Sequence, residues 1–311
     1  MITNFPSHLD EKVKVSFMQY SEEAIKQSVF SKMFNVSSSN DYSKGFTSTE
    51  WGDEVAYFGE SEDLKEINNN EGYEVVSTSD EFGWKITLTK KEKLNAKDAD
   101  TLFNVIVDEK VPLLMNRMRM FIERHAAEFF NDWFAGAIHL APDSVAIFGT
   151  HIWNSTDTSF INRHATNIVA WEAALTALEA YAWDFKDANG LEFPINLNTL
   201  WVKKGGSADV AFRKVLAGDN KLQAATIGDV NIYNNGTYTL IATPYITSST
   251  AWFAQDRTQD NSFVMDFIQD PMLEDRQTRE NLTDVFPSSA SFRYVPAKLP
   301  TDWYGSDGSG S

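Results

Sequence analysis

Apolar positions recur at helical spacing in three stretches of the chain. Leu114, Met118, Phe121, Ile122, His125, Phe129 and Trp133 step by three and four and form one stripe. They predict a helix from Asp98 to Phe134, 37 residues that would span roughly 55 Å at 1.5 Å per residue. Such a helix argues for an elongated molecule, and Pro112 marks a kink or a fresh start within it. Ile168, Trp171, Leu175, Leu178, Ala182 and Phe185 predict a second helix over 167–185, closed by Asn189-Gly190. In Ser21–Phe34, Ala24, Ile25, Val29 and Met33 have the same rhythm, but the stretch is too short to be stable unless it docks on something. Ser37-Ser38-Ser39-Asn40-Asp41 then reads as a hinge.

Elsewhere the pattern is extended. Trp51, Val55, Tyr57 and Phe58 make one run, Tyr73–Val76 another, and in Trp84–Thr89 Trp84, Ile86 and Leu88 alternate with Lys85, Thr87 and Thr89. Between Glu50 and Glu81 stand eleven acids and one base, Lys65, a local charge of −10. Such a segment buries itself poorly, so it reads as a solvent-reaching hairpin whose aromatic side chains need a partner surface. The adjoining bases Lys85, Lys90, Lys91 and Lys93 would suit a neighbour's acidic segment, and equally a solvated strand face. Leu200-Trp201-Val202 is a short buried strand followed by a Gly205-Gly206 turn, with Ser207 capping a helix that ends at Gly218. Asn235-Gly236 joins Val230–Tyr233 to Tyr238–Thr243 as a hairpin. Ala251–Gln255 and Phe263–Ile268 are further strands, and the tail from Gly305 to Ser311 is flexible.

Charge and composition narrow the function. Forty-four acids against 27 bases leave −17 over 311 residues, which argues against broad binding of a phosphate backbone. Zero cysteines exclude disulfides, thiolate metal sites and a cysteine nucleophile. No apolar run reaches the ~18–20 residues of a membrane span, and Met1–His8 lacks a signal-peptide plan. The expectation is a soluble protein made and used inside a cell, without a membrane partner.

Chemistry is sparse. There is no Gly-x-Ser-x-Gly elbow, and Gly205-Gly206-Ser207 is explained by a turn and a helix cap. The histidines at 8, 125, 139, 151 and 164 form no His-x-x-x-His pair; His125 lies in the apolar stripe as a packing residue. Phosphate-binding and dinucleotide fingerprints are absent, and the acidic run has no calcium-loop spacing. A carboxylate pair for glycoside chemistry is not excluded in so acidic a chain. The expectation is no catalytic residue, no metal and no cofactor.

The order of segments resembles the major capsid protein of tailed bacteriophages, the HK97-like fold, and within it the Mu-like major head subunit group. Four stretches carry the resemblance: Glu50-Trp51 through Gly59 and on to Tyr73-Glu74-Val75; Ala146-Ile147-Phe148-Gly149-Thr150-His151 before the loop with Asn154 and Asn162; Asn189-Gly190-Leu191 through Leu197–Val202; and Gly236–Ile241 followed by Ala251-Trp252-Phe253. Asp143-Ser144 and Asn198 depart from the family pattern, where Asp-Gly and proline are expected.

The resemblance implies an α+β fold with an N-terminal arm (1–45), an extended β-hairpin or E-loop (46–95), a peripheral lobe with the spine helix (96–165), an axial lobe (166–245), and a return to the peripheral lobe with C-terminal strands and tail (246–311). Lys203–Asn220 would lie near the centre of a hexamer or pentamer. It further implies a structural, non-enzymatic subunit of an icosahedral shell, built from hexamers and pentamers. That shell would be assembled in the bacterial host cytoplasm with scaffold, portal and decoration proteins, enclosing double-stranded DNA without sequence-specific contacts. Interface residues would be Ile25, Val29 and Met33 on the arm, Trp51, Tyr57, Phe58 and Trp84 on the hairpin, and Lys85, Lys90 and Lys91 beside it. Deleting 50–82 would then leave a folded monomer unable to assemble. An encapsulin-like compartment shell, an acidic intracellular hydrolase and a secreted binding module are the competing readings.

Overall fold

A computed structural model describes residues 7–26, 28–50, 70–96, 98–156, 158–164, 171–217, 233, 236–279 and 283–308. In chain order the helices are α1 (Ser7–Lys26), α2 (Lys90–Asn95), α3 (Ala99–Asn104), α4 (Val111–Asp132), α5 (Trp171–Asp184) and α6 (Ser207–Ala217). The strands are β1 (Asn35–Ser38), β2 (Ser43–Glu50), β3 (Asn70–Thr78), β4 (Asp80–Leu88), β5 (Thr150–Ile152), β6 (Ser159–Ile161), β7 (Thr199–Lys203), β8 (Thr239–Thr243), β9 (Trp252–Gln255), β10 (Phe263–Leu273), β11 (Gln277–Thr278), β12 (Asp284–Pro296) and β13 (Trp303–Ser306). Two compact units result, one from 1–44, 76–126 and 264–295, the other from 45–75, 127–263 and 296–311.

The first unit is built on a sheet in the order β1-β10-β12-β11, with β4 also pairing β12. Several expectations change here. Residues 7–26 form one helix, so Ser21 lies inside it, and the expected helix through Phe34 ends as a single 3₁₀ turn at Phe30–Lys32. Ser37–Asp41 is no hinge: Asn35–Ser38 pairs in parallel with Val264–Phe267, because Ser37 and Ser39 donate to the buried Asp266 carboxylate at 2.7 and 2.6 Å. Trp84–Leu88 does not extend the hairpin but belongs to β4, antiparallel to Asp284–Phe292, and Thr89 caps α2. Its alternation puts Ile86 and Leu88 in the core, while Phe82 stacks on Phe292 at 4.4 Å and meets Phe121 edge-on at 5.0 Å.

The long helix is confirmed from Ala99 to Asp132, with Asp98 capping it through Thr101 N–H at 2.7 Å. Residues Val105–Lys110 widen to a π-helix just before Pro112, which absorbs the ladder bond that proline cannot make. Val111, Met115, Met118, Ile122 and Ala126 are buried; Leu114 of the expected stripe is only half-buried, one position off the buried line. His125 packs among rings, parallel to Phe121 at 5.9 Å and tilted against Tyr294 at 5.4 Å.

The second unit holds the sheet β13-β9-β7-β8, in which β7 and β8 run parallel and the other pairs antiparallel. This sheet crosses the boundary expected at 245/246. The described neighbour of β8 is β7; the first arm of the expected Asn235-Gly236 hairpin lies outside the described residues, apart from Tyr233. Leu175, Leu178 and Ala182 from α5, Phe185 just past its end, and Phe212 and Val215 from α6 join β7 and β9 side chains in one core. A second aromatic group surrounds the fully buried Trp133, with Phe130, Phe148, Phe253, Phe263 and Trp303 at 4.6–5.4 Å. Ser207 opens α6 but does not cap it: its hydroxyl donates to the Ser249 carbonyl at 2.9 Å, while Asp209 accepts from Gly205 N–H at 2.8 Å. The expected flexible tail begins inside β13, and Asp307 pairs with Arg163 at 2.7 Å.

Candidate assembly surface

The hairpin is formed by β2 and β3, which among the described residues pair only with each other. The C-terminal end of β2 is fastened within the second unit by Glu50, one of the eleven acids expected to be solvated. Glu50 is 4% exposed and accepts from Asn154 N–H at 2.7 Å, Ser155 N–H at 2.9 Å and the Ser155 hydroxyl. Asn154 returns a donor to the Gly72 carbonyl at 3.1 Å, and Tyr73 donates to the Ile152 carbonyl at 3.1 Å. Burial and then the neighbouring carboxylates of Asp143 and Glu50 push the Tyr73 hydroxyl upward. Deleting 50–82 therefore removes Glu50, all of β3 and the first residues of β4, so it destroys core pairing along with the arm.

The expected contact residues scatter. Trp51, Tyr57 and Phe58 lie outside the described residues. Ile25 and Val29 are half-buried, and the Val29 N–H donates to Glu123 at 3.2 Å. Met33 is 1% exposed, packed inside its own unit and closed to a neighbour. Trp84 is half-buried with its ring edge-on to Phe121 at 6.0 Å. Lys85, Lys90 and Lys91 are exposed. Lys93, grouped with them from the sequence, is buried and sits 2.6 Å from Asp284.

Reactive-looking groups are tied up. His151 is fully buried, with Nδ1 at 2.9 Å from Asp143 and Nε2 at 3.0 Å from the Ile147 carbonyl, so neither ring nitrogen faces a substrate. A cavity of about 380 Å³ in the second unit is lined by Ser48, Glu50, Trp153, Phe193, Ser262 and Lys298 among others. Behind it Ser262 donates its amide and hydroxyl to Asp302, whose carboxyl burial and the charge of Asp256 push up to about 7 against those hydrogen bonds. Among the described residues no three His, Asp or Glu side chains cluster as metal ligands, and no helix is long and apolar enough to cross a membrane.

Sequence reasoning missed the exposed apolar positions of the second unit. Trp183 on α5 is 73% exposed, and Ile152 and Ile161 point outward from β5 and β6 while His151 and Phe160 point inward. Trp183 lies off the helical stripe, the one signal that could have marked it. Together the outward side chains of Ile152, Ile161 and Trp183 give the second unit an apolar surface open to contact.

No protein-family model and no curated protein matches the chain. Solved structures do. A chain from Microbacterium phage Oxtober96 superposes with TM-score 0.51 at 10% identity, covering 89% of this chain and 90% of its own. A phage-related protein from Bordetella bronchiseptica RB50 gives 0.51 at 11%, over 94% and 97%. A chain of the capsid of a native GTA particle gives 0.50 at 12%, over 89% and 88%. The shared property at these identities is the fold: α+β, with the long helix and several sheets of the HK97-like capsid proteins.

Proposed function

We propose that this chain is the subunit of a self-assembling icosahedral shell, the major capsid protein of a phage head. The observation that carries the reading is the likeness to a capsid chain over nearly nine-tenths of both chains. The tied-up His151 and the outward apolar side chains of the second unit support it. In this reading the 166–245 elements, completed by β9 and β13, make the axial lobe, and α3–α4 with the β10–β12 sheet make the peripheral lobe. The shell encloses double-stranded DNA, is built in the bacterial cytoplasm with scaffold, portal and decoration proteins, and does no chemistry of its own. A charge of −17 keeps the shell wall from holding the packaged phosphates.

The same charge sets the test. Copies repel through a screening length of ~10 Å at 0.1 M salt, so closure needs screening as well as large contacts. Electron microscopy of the expressed chain is expected to show closed shells, with assembly by light scattering accelerating as salt rises from 0.05 to 0.5 M. A chain that stays monomeric or forms only a small fixed oligomer at every ionic strength overturns the reading. Shells that purify with a protein cargo and no nucleic acid point instead to an encapsulin-like compartment.

A further inference from the structure

We infer that the groove around Trp183 receives the β7–α6 turn of a second copy, a head-to-tail contact that closes rings of subunits. The inference deepens the shell reading and rests on it.

The groove is a cleft of about 390 Å³ between α5 and the segments that lead into β7 and β8. Leu178, Ala182, Trp183, Pro194 and Leu197 give it apolar walls, and Tyr238 donates to Glu179 at 3.0 Å across it. Trp183 stands at its rim with 73% of its surface exposed. An indole that open is an unusual surface residue in a folded chain, and tryptophan leads the residue types that anchor interfaces. Glu179 lines it, and the exposed Asp184 follows Trp183 directly in the chain, so the charge beside the indole is acidic.

The occupant is argued from charge and placement. In a chain of −17, Lys203, Lys204 and Arg213 gather at the β7–α6 turn, and the only described acid beside them, Asp209, is buried and bound to Gly205 N–H and Arg213. Val210, 46% exposed, stands on the same helix face as Arg213, one turn earlier, and offers an apolar contact. The turn is held firmly: Gly206 packs so closely on the Ser249 carbonyl that a Cβ there would come within 2.8 Å of it. Lys203 donates to the Thr247 carbonyl at 2.8 Å and Lys204 N–H to the Thr243 carbonyl at 2.9 Å.

The two patches lie at opposite ends of the parallel pair β7–β8. Leu197 and Tyr238 precede the strands, whereas Lys204 follows them beyond Lys203↔Thr243. Five residues of strand separate the ends by roughly 16 Å, so one molecule cannot bring its own patches together. Contact between two different patches is heterologous, the geometry that generates rings when the rotation closes.

The absence of cysteine makes the test clean. Full-length chains carrying Asp184→Cys or Lys204→Cys, both at exposed positions, are mixed under assembly salt and treated with diamide. A disulfide heterodimer is expected in the mixture and not in either chain alone, and the double variant is expected to give a ladder ending at five or six copies. The strand length places an intramolecular link outside the ~4.4–6.8 Å Cα separation of a disulfide. As a second readout, Trp183→Ala is expected to lower the yield of ring or shell about tenfold or more with an unchanged melting temperature. A mixture that yields no heterodimer, or an Asp184→Cys chain that links to itself as readily, overturns the inference. Shells without the heterodimer remove the groove contact and leave the shell reading standing; the heterodimer without shells does the reverse.

Discussion

The two units of this acidic chain bury charge by opposite means. In the first, the four charged side chains buried among the described residues form two pairs: Lys93 with Asp284 at 2.6 Å and Arg293 with Asp266 at 2.6 Å. Arg293 spends its other donors on the carbonyls of Tyr42, Ser77 and Asp41 and on the Ser39 hydroxyl, so strands distant in sequence meet at one guanidinium. In the second unit six acids are buried, Glu50, Asp132, Asp187, Asp209, Asp256 and Asp302, and among the described residues no lysine or arginine is buried with them. Their partners are mostly backbone N–H groups and hydroxyls. Asp132 takes the amides of Ala137, Ile138 and His139 at 3.0, 2.7 and 2.6 Å, and Asp187 those of Asn189 and Leu191 at 2.9 and 2.8 Å. Asp256 accepts from Asn196 N–H at 2.8 Å and from Thr258. With 44 acids and 27 bases, dipoles must do what cations cannot. The lesson is that the first unit depends on keeping its few buried cations, while the second depends on backbone geometry and is exposed to pH.

The largest effect is expected from removing a buried cation. Burial pushes the Asp266 carboxyl up, but hydrogen bonds from Ser39, Ser37 and Arg293 outweigh it and hold it below the usual carboxylate range. Arg293→Met strands that charge, and losing one partner of a buried pair costs about 3–5 kcal/mol. Eight of the nine tryptophans fall in the second unit, so loss of far-UV dichroism should precede the change in tryptophan emission on urea titration. Adding Asp266→Leu should recover much of the loss, because a fully apolar pair leaves no orphaned charge. A single variant within 1 kcal/mol of the parent would sink the first half of the comparison.

Next in size is a pH slope confined to the second unit. Asp302 is raised to about 7 by burial and by Asp256, against hydrogen bonds from Ser262. A folded pKa above the unfolded one means that the native state holds the extra proton. Its stabilising contribution is therefore present in acid and is lost as pH rises through 7. Between pH 5 and 8 this amounts to about 2–3 kcal/mol as an upper figure. Asp302→Asn mimics the protonated acid: its oxygen can keep the Ser262 amide, and its NH₂ can donate to the Ser262 hydroxyl after that hydroxyl turns. Tryptophan-monitored unfolding of the variant should lose the slope and gain stability at pH 8. A parent protein as stable at pH 8 as at pH 5, with the variant unchanged, contradicts the assignment.

What could be read from the chain follows the same division between apolar and polar burial. The stripe through Met118, Ile122, Phe129 and Trp133 and the alternation of Phe263, Met265 and Phe267 were legible, because apolar burial leaves a period. Ser37–Asp41 looked like a hinge, since the partners of its serines are a buried aspartate and a parallel strand more than two hundred residues away. Asp284–Pro296 gave no clear period: Phe286, Ser288, Ala290, Ser291, Phe292 and Arg293 are all buried, so both faces of β12 are covered and the serines and arginine find polar partners. The candidate contact surface was less legible still. Lys93 among four lysines and Glu50 among eleven acids carry no local mark of burial, because what selects them is a partner far along the chain.

Glu50 gives the smallest of these effects and the sharpest contrast with Asp302. Both are buried acids of the second unit without a buried base, yet the amide isostere should act oppositely on them. Three donors converge on Glu50, from Asn154 N–H, Ser155 N–H and the Ser155 hydroxyl, and its two oxygens are there to accept. Glu50→Gln keeps one acceptor and turns the other into an NH₂ that faces donors, at least one of which is a fixed amide. Leaving a buried donor unmatched costs about 1–3 kcal/mol. Hydrogen exchange should quicken first at Asn154 and Ser155 and along β2 and β3, with the β7–β9 ladder unaffected. Because the Glu50 end of the hairpin loosens while the core persists, shell assembly should fall further than the melting temperature does. If the amide is tolerated at 50 as it is expected to be at 302, the three donors around Glu50 do not require two acceptors, and the contrast between the two units collapses to the presence or absence of a buried cation.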